Sequence, residues 1–91
     1  MWTLVFTKQF KKDFKLCKKR GLPDTEIETI TRKLQQGIAL AERHREHVLK
    51  GEYHGFSECH IRPDWLLIYS KDEPSKTITF IRTGTHSDLF D

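Results

Sequence analysis

No histidine occurs in the first 43 residues, no apolar run exceeds the five residues Trp65 to Tyr69, and the 91-residue chain holds two cysteines, three prolines and five glycines. Each scarcity excludes something. A membrane span needs about 20 apolar residues, and Met1 to Phe6 is too short for a span or a signal peptide, so the cytoplasm is the expected address and no membrane partner is expected. Cys17 and Cys59 show no CxxC spacing, and Cys17 falls on the apolar side of a helical pattern, which suits a buried, reduced thiol. No HExxH or other closed ligand set appears, whereas a catalytic zinc needs about three protein ligands; no metal is expected. A strained GxSxG elbow is missing, which argues against a nucleophilic serine. With no glycine-rich phosphate loop, no nucleotide cofactor is implied.

What is present fits a folded protein with 36% hydrophobic and 32% charged residues. The length predicts one domain, residues 1–91, with a single modest core. Net charge is only +3 but unevenly spread: Lys8, Lys11, Lys12, Lys15, Lys18, Lys19 and Arg20 face a single acid, Asp13. Such a run can be simply a solvated helix face. It also suits nucleic-acid phosphates or an acidic partner.

Trp2 to Phe6 is aromatic and β-branched, as a short strand requires. Thr7 can cap a helix in which Phe10, Phe14 and Cys17 form one apolar stripe, ended by Gly21. Pro23 opens a second helix with Ile27, Ile30 and Leu34 inward and Gly37 at its end. Residues 38–54 have no clear period. From Phe56 to Ile61 the pattern alternates, with Phe56, Glu58 and His60 on one face and Ser57, Cys59 and Ile61 on the other. Arg62-Pro63-Asp64 is a turn, Trp65 to Tyr69 a central strand, Lys71 to Ser75 another turn. Thr77 to Arg82 alternates again and predicts Ile78, Phe80 and Arg82 on one face. The expected fold is α+β, in the order β-α-α-β-β-β: an antiparallel sheet with an N-terminal helical hairpin on one side.

Candidate chemistry gathers at the strand ends. His60, Asp64 and His86 each sit where a strand meets a turn or tail, with Arg82 close by in sequence. Histidine exchanges protons near neutral pH, a guanidinium grips phosphate through a planar fork, and a carboxylate orients or accepts. A metal site is the rival use, since His44 and His47, or His60 and Asp64, have plausible ligand spacing. Aromatic residues beside this region invite base stacking. Phe10, Phe14, Phe56 and Phe80 read as core, whereas Trp65 and Phe90 lie next to a turn and in the tail.

The run from His47 through Gly55, His60, Pro63-Asp64-Trp65 and Leu67-Ile68-Tyr69, then Arg82-Thr83-Gly84-Thr85-His86 and Leu89-Phe90, resembles the YafQ-type toxins of the RelE/ParE superfamily of bacterial mRNA interferases. The likeness extends over nearly the whole chain. It departs at Ile38-Ala39-Leu40, where such proteins often carry a proline-containing turn. The resemblance implies a metal-free, cofactor-free endoribonuclease that cuts mRNA on the ribosome through attack of the RNA 2′-hydroxyl on the adjacent phosphate. It further implies a cognate antitoxin, with DNA engaged only indirectly through the antitoxin complex. Its functional positions fall on His47, His60, Asp64, Trp65, Arg82, His86 and Phe90. On that reading Arg82 meets the charged phosphate oxygens, His86 is the general acid, His60 with Asp64 activates the 2′-hydroxyl, His47 supports the phosphate, and Trp65 and Phe90 orient a base. Lys8, Lys11, Lys12, Lys15, Lys18 and Lys19 would contact ribosomal RNA or an acidic antitoxin segment. A non-catalytic RNA- or DNA-binding module acting through the basic helix is the alternative.

Overall fold

Thr3–Phe6 form strand β1, and the chain turns at once into helix α1, Lys8–Lys19. The Thr7 hydroxyl accepts the Phe10 amide at 3.0 Å, satisfying one of the orphan donors of the first turn. Phe10, Asp13 and Cys17 are the buried positions of α1, and Phe14 is half-buried beside them. Gly21, at φ +84°, supplies the left-handed residue that stops it. Helix α2, Asp24–Gln35, buries Ile27, Ile30 and Leu34. Residues 38–54, where no period could be read, hold two single 3₁₀ turns, Glu42–His44 and Gly51–Tyr53, on either side of a two-residue strand β2, His47–Val48. Strands β3 (Ser57–Arg62), β4 (Trp65–Asp72) and β5 (Thr77–Gly84) follow, and a short helix α3 occupies His86–Phe90. The computed structural model describes residues 1–90. Among these, no helix is long and apolar enough to cross a membrane.

The α+β class holds, and the sheet is mixed rather than wholly antiparallel. Its strand order is β1-β5-β4-β3-β2. Strands β2 to β5 pair antiparallel, but β1 lies parallel to β5, with Thr3 opposite Thr77 and Phe6 opposite Phe80. Parallel pairing needs a long crossover connection, and everything between β1 and β5 supplies it. Both long helices cover one face. There Phe10, Cys17, Ile27, Ile30 and Leu34 pack on Cys59, Ile61, Trp65, Leu67, Tyr69, Ile78 and Phe80. The opposite face has a thinner layer, Leu66, Ile68 and Leu89, backed by Leu49, Tyr53, Phe56 and Ile81. Strand β4 is therefore covered on both sides, which is why its residues 65–69 form an unbroken apolar run.

One irregularity corrects the sequence reading. Tyr69 pairs with Phe80 but Ile68 pairs with Arg82, so β5 carries one extra residue, Ile81. A bulge of this kind shifts every later side chain to the other face. Ile78 and Phe80 face the helices as expected. Arg82 instead shares the face of Ile68 and Glu58, away from the helical core.

Candidate active site

Pairing across the sheet aligns His47, Glu58, Ile68 and Arg82 in one row, with His60, Leu66 and Gly84 in the next. Directly paired residues project to the same side, so this face collects side chains from four strands. Glu58 anchors one end. It is only 4% exposed, and its Oε1 lies 3.3 Å from His47 Nε2 and 3.4 Å from His60 Nε2. Its Oε2 is buried with no hydrogen-bond partner. The far nitrogens of both rings face carbonyl oxygens: His47 Nδ1 donates to Arg45 at 2.7 Å and His60 Nδ1 to Pro63 at 3.3 Å. A carbonyl can only accept, so each ring keeps its proton on Nδ1 and turns Nε2 toward the carboxylate. A proton arriving at either Nε2 is held against Glu58. Behind the sheet the buried His44 donates from Nδ1 to the His60 carbonyl at 2.7 Å, bracing that strand.

His86 forms the other end. Asp64 Oδ1 accepts both its backbone N–H, at 2.9 Å, and its Nδ1–H, at 2.6 Å. The backbone bond, then the side-chain bond, hold the Asp64 carboxyl below its ordinary range. This clamp fixes the ring and leaves Nε2 outward. The expectation that Asp64 stands with His60 is thereby corrected: Asp64 contacts His86, and the carboxylate beside His60 is Glu58. Both sit at the β3–β4 end of the sheet, but the turn carries Asp64 toward the start of α3.

The rings form an arc. Centroid distances are 6.3 Å from His47 to His60, 5.7 Å from His60 to His86, 6.4 Å from His86 to Phe90 and 5.7 Å from Phe90 to Tyr53, the last edge-on. Arg82 completes it, with Tyr53 beside its guanidinium. Arg82 Nε and Nη2 donate to Asp13 of α1 at 2.7 and 3.2 Å, and this hydrogen-bonded carboxylate is the main reason the guanidinium holds its proton even more firmly than usual. Two strand spacings, about 10 Å, separate Glu58 from Arg82 at the backbone, with the buried Ile68 between them in the row.

Trp65 does not belong to this arc. It is 1% exposed, packs in the helix-side core, and its indole N–H donates to Thr83 Oγ1 at 3.0 Å. Its expected role in holding a base is corrected to a structural one, because no face of the ring is open. Phe90, 45% exposed, is open. The six lysines of α1 are all exposed; Lys18 lies 3.9 Å from Asp24, and the other five have no partner among the described residues. Glu58, Tyr53 and Asp13 were missed in sequence. Glu58 could have been found, since it alternates onto the face of His60. Cys59 points the other way, and burial pushes its thiol up to about 12, so it cannot supply a thiolate.

The model of one family, the bacterial YafQ toxin of type II toxin–antitoxin systems, matches residues 2–91. Over 88 residues the chain is 34% identical to the mRNA interferase toxin YafQ of Escherichia coli K12, spanning 96% of this chain and 94% of that one. It superposes on a metal-bound toxin from Helicobacter pylori with a TM-score of 0.92 at 36% identity, covering 99% of this chain and all of that one. With the toxin of the E. coli DinJ–YafQ complex the TM-score is 0.89 at 32% identity, and both chains are covered completely. The chain belongs to the YafQ family of type II toxin–antitoxin toxins. The metal on the H. pylori relative invites a test of fit here. Among the described residues, no group of three or more His, Cys, Asp or Glu side chains is arranged to hold an ion. Asp64 occupies His86 Nδ1.

Proposed function

We propose that this protein is an endoribonuclease that cuts mRNA on the ribosome by 2′-hydroxyl attack, without a metal ion, and so arrests translation. The observation that supports it best is the pair of separately held imidazoles, His60 on Glu58 and His86 on Asp64, with centroids 5.7 Å apart. Transesterification needs a base for the 2′-hydroxyl proton and an acid for the leaving 5′-oxygen, acting on opposite sides of one phosphorus. His60, able to pass a proton toward Glu58, takes the base role. His86 Nε2 delivers the proton to the leaving oxygen, with Asp64 fixing the ring. The 2′-oxygen forms its bond to phosphorus as the bond to the 5′-oxygen breaks, leaving a cyclic phosphate. Arg82 faces the charge that builds on the non-bridging oxygens, where a guanidinium fork fits well, and His47 adds a second phosphate contact. Phe90, with Tyr53 edge-on to it, offers a platform for a base of the target codon.

The exposed lysines of α1 would grip ribosomal RNA. A cognate antitoxin with an acidic segment would compete for the same surface, as the DinJ–YafQ assembly suggests by analogy. DNA would be met only through that complex. The deciding experiment maps mRNA ends after brief induction, on ribosome-bound and free transcripts. Cuts in translated messages that vanish in His86→Ala and Arg82→Ala are expected. The unpaired lysines also favour a second reading, a binding module that blocks translation without cutting; growth arrest with intact mRNA would establish it instead.

A further inference from the structure

The run from Lys8 to Arg20 holds seven basic residues and one acid, and that acid is almost wholly buried, 8% exposed. Asp13 accepts four hydrogen bonds. Arg82 donates to it twice, from Nε at 2.7 Å and Nη2 at 3.2 Å; Gln9 donates from Nε2 at 2.9 Å, and the Thr83 backbone N–H at 3.2 Å. A carboxylate has about four lone-pair sites, so none is left over. Of the five N–H bonds of a guanidinium, two are spent on Asp13; Tyr53 also lies against the group, and the N–H bonds it leaves are available to a substrate phosphate.

The sheet explains why a helix supplies this group. Strand β1 ends opposite Phe80, so the outer edge of β5 beyond that point has lost its strand partner. The start of α1 takes over: Thr7 N–H donates to Phe80 O at 3.2 Å and Thr7 Oγ1 to Ile81 O at 3.1 Å, and Asp13 receives the Thr83 N–H nearly two turns later. Arg82 lies just after the bulge, where the strand is least regular. A long side chain there has many rotamers, and ordering it costs side-chain entropy. The bidentate contact removes that freedom before substrate arrives.

We propose that Asp13 is a positioning residue for the phosphate-binding arginine: it holds Arg82 in the orientation in which its free N–H groups face the scissile phosphate. The proposal rests on the ribonuclease reading above. It differs from a mere tether of α1 to the sheet, because the tether is shared with Thr7 while the arginine is held by Asp13.

The test compares Asp13→Asn with Thr7→Ala, which removes the helix cap and the Ile81 contact but leaves the Asp13–Arg82 pair. Single-turnover cleavage of a short message on programmed ribosomes is measured well below the melting temperature of each variant. Asp13→Asn should lower the maximal rate by at least about 10-fold, with the half-saturating ribosome concentration changed by less than about 2-fold. Thr7→Ala should lose stability and keep the wild-type rate. In ¹⁵N NMR the Arg82 Nε–H signal, assigned by its loss in Arg82→Ala, should be protected from exchange in the wild type and in Thr7→Ala but not in Asp13→Asn. A wild-type rate in Asp13→Asn alongside an inactive Arg82→Ala would overturn the positioning role and leave the ribonuclease reading standing. Equal rate losses in Asp13→Asn and Thr7→Ala would reduce Asp13 to a tether. A wild-type protein that leaves the message whole would bring down the ribonuclease reading, and this inference with it.

Discussion

Glu58 is 4% exposed, and one of its oxygens has no hydrogen-bond partner. Leaving a buried acceptor unpaired costs about 1–3 kcal/mol, a cost that folds tend to carry where function demands it. Glu58→Gln removes the charge at nearly constant volume. Stability should therefore change by no more than about 1 kcal/mol, while cleavage falls by at least about 100-fold if the residue takes a proton from His60. Thermal melting and single-turnover cleavage on the same samples check the pair; a large stability loss with cleavage intact would make Glu58 purely structural. Trp65 and Phe90 divide in the opposite sense. Trp65→Phe keeps most of the buried ring but strands Thr83 Oγ1 without its donor, and should cost about 1–3 kcal/mol of stability with a smaller effect on cleavage by the folded protein. Phe90→Ala, on a half-open ring, should melt almost as the wild type yet lose about 1–3 kcal/mol of RNA binding. Equal effects on melting and binding in both variants would contradict this division.

At the scale of elements, α3 is the weak piece that carries two site residues. Five residues are too few for a helix to hold itself, so its shape comes from contacts. Thr85 Oγ1 accepts the Asp88 N–H at 3.1 Å while Asp88 Oδ2 accepts the Thr85 N–H at 2.9 Å, a reciprocal capping box. Asp88 also takes two bonds from Arg20 at the end of α1, at 2.6 and 3.1 Å. The Arg20 bond first, then the Thr85 amide, bring its carboxyl down to about 2. A folded-state value below the unfolded one of about 3.9 gives stability that is present above about pH 4 and lost as pH falls toward 2. With the carboxylate partly open to solvent, the gain should be on the order of 1 kcal/mol. Melting temperatures from pH 5 to 2 should fall more steeply in the wild type than in Asp88→Asn; parallel curves would remove the ion pair from the account. The elements themselves were readable from periodicity: Ile27, Ile30 and Leu34 on one helical stripe, Glu58 and His60 on one strand face. Their long-range partners were not. A single extra residue, Ile81, turns Arg82 to the other face, and nothing in the local pattern of Thr77 to Arg82 reports it. Hairpin pairing does bring Asp64 to the sheet end of His60, but α3 carries His86 onto its carboxylate. Likewise Asp13 looked like a lone acid in a solvated run until the sheet edge it covers was known.

Over the whole molecule, charge and chemistry are separated by the sheet and joined by α1. The helix presents six exposed lysines outward and reaches the site through Asp13 on Arg82 and Arg20 on Asp88. Binding to a polyanion and turnover should therefore respond to different residues of one helix. Neutralising Lys11, Lys12 and Lys15 together leaves Asp13, Arg20 and the core positions Phe10 and Cys17 in place. If each lysine releases counterions from one RNA phosphate, the slope of log affinity against log salt should shrink by about 0.7–0.9 per contact, or roughly 2–3 in all. At low salt and saturating ribosomes the triple alanine variant should still cut at nearly the wild-type rate, because Arg82, His60 and His86 keep their partners. Raising the salt should abolish cutting by the variant before it abolishes cutting by the wild type. Ribosome-binding titrations over a range of salt, paired with cleavage at saturation, separate the two terms. An unchanged slope would mean that α1 faces solvent rather than RNA, and the cationic surface would then be left to an acidic protein partner.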